Sequence, residues 1–238
     1  MAKRSASMYQ DLKKAVCQAN IELQNHKLVI YSWGNVSGAD RSEGVVAIKP
    51  SGVPYSELTP EKMVVLDLHG NVIEGSLNPS SDTPTHLELY RSFDNIAGVC
   101  HTHSPYATMW AQACRQIPCY GTTAADYFYG PIPVTDALNP NQIAKDYELN
   151  TGKSIVRRLR RIDPLHMPAV LVANHGPFTW GTSPAKAVEA AVVLEQVAEM
   201  ALGTTIINTH QQAISQALLD KHYLRKHGKE AYYGQNSQ

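Results

Sequence analysis

Apolar runs along these 238 residues are short, and they change period repeatedly without settling into a strand–helix–strand rhythm. Met8, Leu12, Ala15, Val16, Ala19 and Leu23 recur at helical spacing and open the chain with an amphipathic helix. Residues 28–33 and 45–48 then read as short strands, and Val64-Val65-Leu66 and Val72-Ile73 flank His69-Gly70-Asn71 as a hairpin. Thr83-Pro84 is a helix start, with Thr as cap and Pro at the first helical position, followed by Leu87, Tyr90 and Phe93 turned inward. Residues 96–100 read as a buried strand, 106–113 as a helix, 132–134 as another strand and 141–160 as a helix. A strand over 169–173, a long Ala/Val/Leu-rich helix over 184–202 and a last helix over 208–226 precede a polar tail. Hairpin signals without a βαβ rhythm predict an α/β fold with an antiparallel or mixed sheet covered by helices. No internal repeat, low-complexity stretch or interdomain linker interrupts the pattern, so residues 1–238 are expected to form a single domain.

Charge excludes some partners. Lys plus Arg equals Asp plus Glu at 21 each, so no global field draws the chain to nucleic acid or to an anionic membrane. An anionic substrate must then be met by local donors. No apolar run reads as the roughly 20 residues of a membrane span, and the start, Met-Ala-Lys-Arg-Ser, leads into an amphipathic helix rather than a signal segment. Cys17, Cys100, Cys114 and Cys119 lack CxxC spacing and disulfide-rich density, which fits free thiols in a cytoplasmic protein.

His101-Thr102-His103 follows the apolar stretch 97–100. Side chains two apart on a strand share a face, so both imidazoles can reach one ion. His175, in Asn174-His175-Gly176-Pro177, again follows an apolar strand, and Asp82 precedes a helix. Three nitrogens and a carboxylate oxygen suit zinc or a similar borderline ion. No HExxH occurs, which disfavours a zincin-type peptidase. The other seven histidines (26, 69, 86, 166, 210, 222 and 227) read as surface or structural, with His86, one helical turn beyond Asp82, the nearest competitor.

Two small polar loops could hold a phosphate: Lys49-Pro50-Ser51-Gly52 and Ser80-Ser81. The second lies at a helix N-terminus, where free N–H groups favour anions. Either loop alone also reads as an ordinary turn, and Trp33-Gly34-Asn35-Val36-Ser37 as a plain strand end.

Taken together, these segments resemble the L-ribulose-5-phosphate 4-epimerase family within the class II aldolase and adducin-like superfamily. The resemblance runs through WGNVSG at 33–38, IKPSG at 48–52, PSSDTPTH at 79–86 and HTHS at 101–104. It continues through GTTAADYFYG at 121–130, NHGPFTWG at 174–181, DKHYLRKHG at 220–228 and AYYGQ at 231–235. It implies a three-layer fold with a largely antiparallel central sheet flanked by helices. It also implies a cytoplasmic homotetramer whose active sites are shared, the tail from about 228 to 238 reaching a neighbouring subunit. By position it implies Asp82, His101, His103 and His175 as ligands of one Zn2+, Mn2+ or Co2+ per subunit. Gly34, Asn35, Ser51, Gly52, Ser80 and Ser81 match substrate-contacting positions, mainly around the phosphate, with Lys49 as a helper. Asp126 and Tyr233 match the two proton-transfer residues. One departure is visible: Ala124 stands where the family commonly has a histidine, in GTTHADYF.

The implied activity is that of an isomerase of pentose catabolism, converting L-ribulose 5-phosphate to D-xylulose 5-phosphate. In a 2-ketose, C4 is not adjacent to the carbonyl, so its hydrogen is not acidic. Transient oxidation would call for a nicotinamide, and no GxGxxG is present. Retro-aldol cleavage of C3–C4, rotation of the aldehyde and re-addition remains. The alternatives are an aldolase acting on fuculose or rhamnulose phosphate, which carries glutamate where this chain has Asp82, and a non-catalytic adducin-like scaffold.

Overall fold

The computed structural model describes residues 9–228 together with 231 and 232. Helix α1 (Gln10–Asn25) bears out the opening amphipathic pattern and buries Val16, Cys17, Ala19 and Leu23. Seven strands follow in one sheet: β1 (Asn35–Asp40), β2 (Val45–Ile48), β3 (Val64–Asp67), β4 (Val72–Glu74), β5 (Gly98–His101), β6 (Ala169–Leu171) and β7 (Pro177–Gly181). Their order is β4-β3-β2-β1-β5-β7-β6, and every neighbouring pair is antiparallel. The helices are α2 (Thr83–Ser92), α3 (Pro105–Gln112), α4 (Thr122–Ala125), α5 (Pro140–Ala144), α6 (Tyr147–Arg158), α7 (Pro184–Ile207) and α8 (Gln216–His227). The expected largely antiparallel sheet flanked by helices is what the chain forms.

Strand alternation divides the core between the two faces. Val36, Val45, Ala47, Val65 and Cys100 pack with Val16 and Leu23 of α1 and Ala187, Val188 and Ala191 of α7. Val46, Val99, Phe178 and Trp180 point the other way, toward Leu87, Leu89 and Tyr90 of α2 and Ile155 of α6. Burial of that many aliphatic and aromatic side chains, at about 1.5–3 kcal/mol each, is the main force holding the layers together.

Several expectations are corrected. Residues 28–33 are not a strand: Lys27 and Tyr31 adopt φ of 58° and 56°, and pairing begins only at Asn35. Asp82, not Thr83, occupies the cap position of α2, and Pro84 falls within its first two residues. The predicted helix over 141–160 is two helices, broken where Asp146 turns left-handed at φ 53°. Residues 132–134 contribute only isolated bridges, from Ile132 to Ile117 and from Val134 to Leu171. β7 was hidden inside a motif that carries no alternation, and the final helix starts at Gln216 rather than near 208. α7 is, by length and composition, apolar enough to cross a membrane, contrary to the sequence reading. Here one face of it packs on β5, β7 and α3.

Candidate metal and phosphate site

The site sits where β1 and β5 end. Antiparallel pairing sets Asn35 opposite His101 and Ser37 opposite Val99, so Asn35, Ser37 and His101 share one face of the sheet. Gly34 makes this approach possible. A Cβ there would lie 2.8 Å from the His101 carbonyl oxygen, and its φ is +74°, which glycine adopts without strain. Tyr55, buried beneath, donates its hydroxyl proton to the carbonyls of Trp33 and Gly34, each at 2.9 Å, and fixes this corner.

His101 is the last residue of β5, and His103 lies two residues beyond the strand, yet their Nε2 atoms are 3.1 Å apart. His175 arrives from the turn between β6 and β7, its ring 4.7 Å from that of His101 and 5.0 Å from that of His103. Gly176 keeps this turn close, since a Cβ there would meet the Thr102 carbonyl oxygen at 2.9 Å. The donor atoms of the three histidines lie within 4.8 Å of one another. Tetrahedral zinc with Zn–N near 2.0–2.1 Å separates its ligand nitrogens by roughly 3.3 Å, so a small relaxation closes the set.

Surroundings orient each ring. His101 Nδ1 donates to the Pro177 carbonyl at 2.9 Å, and its ring stacks on Phe178 at 4.1 Å, which directs Nε2 at His103. Burial, reinforced by the neighbouring imidazoles, pushes His175 down to about 3 and lowers His103 as well. Both are therefore neutral near pH 7, the form that offers a lone pair to a cation. The donor set fits a divalent metal.

Asp82 lines the same cavity but is not one of the three mutually converging groups. Its Oδ2 accepts from Asn35 Nδ2 at 2.6 Å, and the side chain makes no cap bond to α2. Burial alone would raise its pKa; His101, His86 and the Asn35 hydrogen bond outweigh that and hold the carboxyl below its usual range. His86 is wholly buried, with Nδ1 2.7 Å from Ser37 Oγ, and lies outside the histidine cluster, in line with its structural reading.

The two polar loops are one structure. Ser80 N–H donates to the Lys49 carbonyl at 3.0 Å and Ser51 N–H to the Asn78 carbonyl at 2.9 Å, zipping Pro50 to Pro79. A cavity of about 560 Å3 is thereby lined by Gly34, Asn35, Ser51, Gly52, Ser80, Ser81, Asp82 and the three histidines. Lys49 lies in its wall, 2 % exposed. Among the described residues, the Lys49 ammonium touches only the Ser32 and Pro50 carbonyls, at 3.4 and 3.3 Å, and the Tyr55 ring, at 5.0 Å. Burial pushes it down to about 8. A cation buried at a cavity wall, with no carboxylate partner among the described residues, favours an anion beside it.

Tyr147 and Glu148, from the start of α6, also line this cavity and were missed by the sequence reading. No motif marks them, and the uninterrupted helix expected over 141–160 concealed the turn at Asp146 that brings them there. Asp126 is elsewhere. It follows α4, accepts from Arg225 at 2.9 and 3.0 Å, lies 3.0 Å from His222 Nδ1 and 3.2 Å from Lys226 Nζ, and does not line the cavity. Burial opposes its ionisation, but Arg225, His222 and Lys226 hold its pKa below the ordinary range. Tyr233 lies outside the described residues.

Residues 14–202 match the family described as class II aldolase and adducin N-terminal domain, and the chain belongs to that family. Among solved structures, an L-fuculose 1-phosphate aldolase is 25 % identical with a TM-score of 0.76, over 89 % of this chain and 94 % of that one. YgbL from Klebsiella pneumoniae is 23 % identical with a TM-score of 0.71, over 89 % and 97 %. The L-fuculose-1-phosphate aldolase of Thermus thermophilus is 23 % identical with a TM-score of 0.65, over 84 % and 97 %.

Proposed function

We propose that this class II aldolase family member is a metal-dependent L-ribulose-5-phosphate 4-epimerase, inverting C4 by retro-aldol cleavage and re-addition. One observation carries the reading: three imidazoles, an ionised aspartate and two serine loops with a buried lysine all face one cavity. That combination suits a small sugar phosphate. The resemblance of the motifs at 33–38, 48–52, 79–86, 121–130, 220–228 and 231–235 to the epimerase family supports the specific reaction.

His101, His103 and His175, with Asp82 as fourth ligand, would hold Zn2+ or a similar ion. The ion would supply Lewis acidity to the oxygens of the sugar. Asn35 holds the Asp82 carboxylate in place at 2.6 Å. Ser51, Ser80 and Ser81 bind the phosphate through their hydroxyls, and Gly52 and Ser81 through backbone N–H donors, the Ser51 and Ser80 N–H groups being engaged between the loops, and Lys49 adds charge. These contacts keep the glycolaldehyde phosphate fragment from leaving after C3–C4 cleavage, so re-addition from the other face outruns release. A proton must move to and from the C4 oxygen on either face, a task for Asp126 and Tyr233. Asp126 does not line its own chain's cavity; in this reading Tyr233 reaches in from a neighbouring subunit of a homotetramer and acts opposite Asp126. The exposed apolar end of α7, with Met200, Ile206 and Ile207, supports self-association. Residues 1–238 then act as one cytoplasmic domain whose tail completes the neighbour's site.

The second reading, an aldolase, is favoured by the 25 % identity to an L-fuculose 1-phosphate aldolase. Metal-loaded protein given L-ribulose 5-phosphate or L-fuculose 1-phosphate, with D-xylulose 5-phosphate and dihydroxyacetone phosphate measured, separates the two. Dihydroxyacetone phosphate released from the fuculose ester, without epimerisation, selects the aldolase. Solvent deuterium entering C4 during epimerisation would instead rule out the retro-aldol route.

A further inference from the structure

Tyr147 has no role in the motifs, and the structure gives it one. It is the first residue of α6, placed by the left-handed turn at Asp146, and its side chain lines the metal cavity. Its hydroxyl lies 3.3 Å from His175 Nδ1, with the rings tilted at 6.1 Å.

The outer nitrogens of the histidines explain why this matters. His101 Nδ1 faces the Pro177 carbonyl, which can only accept, so that ring is protonated at Nδ1 and offers its Nε2 lone pair. His175 Nδ1 faces a phenol, which can either donate or accept. If the phenol donated, His175 would carry its proton on Nε2 and that nitrogen could not bind a cation. If the phenol accepts, His175 matches His101, and Tyr147 keeps its own proton for another partner. Partners of this kind fix the tautomer and aim of metal-binding imidazoles.

We propose that Tyr147 is a positioning residue that accepts from His175 Nδ1–H and donates its remaining proton to an oxygen of the bound sugar phosphate. The first half stands on the three-histidine site alone; the second rests on the sugar-phosphate reading above.

The test uses the full-length protein. With 15N-histidine labelling, and His175→Gln to assign the resonance, metal-free protein should show His175 as the Nδ1–H tautomer. Finding the Nε2–H tautomer overturns the orientation. Tyr147→Phe keeps the ring and removes the oxygen, and should weaken zinc binding about 10–100-fold in competition with a chelator. An affinity within twofold of wild type likewise overturns it. At saturating zinc, Tyr147→Phe should still turn over L-ribulose 5-phosphate at least about tenfold more slowly than wild type, the lower end of the usual effect of such partners. Unchanged kcat and KM there would remove the donation to substrate. If wild-type protein does not epimerise L-ribulose 5-phosphate at all, the functional reading and the donation fall together. The tautomer and zinc affinity then judge the positioning half separately.

Discussion

Asn35 and Asp82 are separated by 47 residues in sequence, and the amide of the first donates to the carboxylate of the second at 2.6 Å. The same amide reaches Ser80 Oγ at 3.1 Å, so one side chain from β1 clamps both the carboxylate and a serine of the phosphate loop. Hydrogen bonds to charged groups contribute about 1.5–3 kcal/mol. Asn35→Ala should therefore weaken zinc retention and lower kcat/KM together, each by about 10–100-fold. Chelator competition and steady-state kinetics check this; an effect confined to KM would mean that Asn35 serves the phosphate alone.

The histidine cluster predicts a strict metal requirement. Chelation should abolish turnover, and zinc, manganese or cobalt should restore it. His101→Asn and His103→Asn should lose bound metal, by elemental analysis, along with activity. Full turnover in protein shown to be metal-free would end this mechanism.

The fused serine loops predict dependence on the phosphate group. Free L-ribulose should be a very poor substrate, and Ser81→Ala should chiefly raise KM. Losing two hydrogen bonds to a charged group costs about 3–6 kcal/mol in all. Comparable efficiency on the free sugar would place the phosphate elsewhere.

Lys49 predicts a pH effect with a definite sign. Burial lowers its pKa to about 8, so in free enzyme its charge is present below that pH and lost above it. KM for the phosphorylated substrate should rise as pH passes from about 8 to 9.5, and Lys49→Met should raise KM at pH 7 while flattening that slope. The same shift acts on stability. The unfolded chain holds this proton up to its ordinary pKa near 10.4, so the folding penalty is full below about 8 and is relieved between there and 10.4. A profile for Lys49→Met that keeps the wild-type slope would assign the pH effect to another group.

Asp126 and the tail predict complementation between subunits. Asp126→Asn should loosen α8, because Arg225, His222 and Lys226 all converge on this carboxylate. Its depressed pKa means that this contribution is present above the ordinary carboxylate pKa and lost as pH falls through the lowered one. Tyr233→Phe should cut turnover by about 10²–10⁴-fold with metal content unchanged. Co-assembled Tyr233→Phe and His101→Asn protomers, each nearly inactive alone, should regain activity. Verified hybrids that stay inactive would confine the tyrosine to its own subunit or remove it from catalysis.

What the sequence determined by itself is local. The His101–Thr102–His103 spacing, the position of His175 just past an apolar strand, the turn chemistry around Ser51-Gly52 and Ser80-Ser81, and most of the helices follow from periodicity and turn preferences within a few residues. An antiparallel or mixed sheet was legible for the same reason, since hairpins declare themselves at short range. Tertiary structure decided what no short window holds. Pairing of β1 with β5 set Asn35 against His101, and pairing of β5 with β7 carried His175 to the pair, both across contacts distant in sequence. The fusion of the two serine loops, the burial of Lys49, and the left-handed turn that swings Tyr147 onto His175 belong to this second class. Each depends on free energy supplied by the rest of the core: a buried cation or a non-glycine residue at positive φ is unfavourable locally and persists only because the surrounding packing holds it.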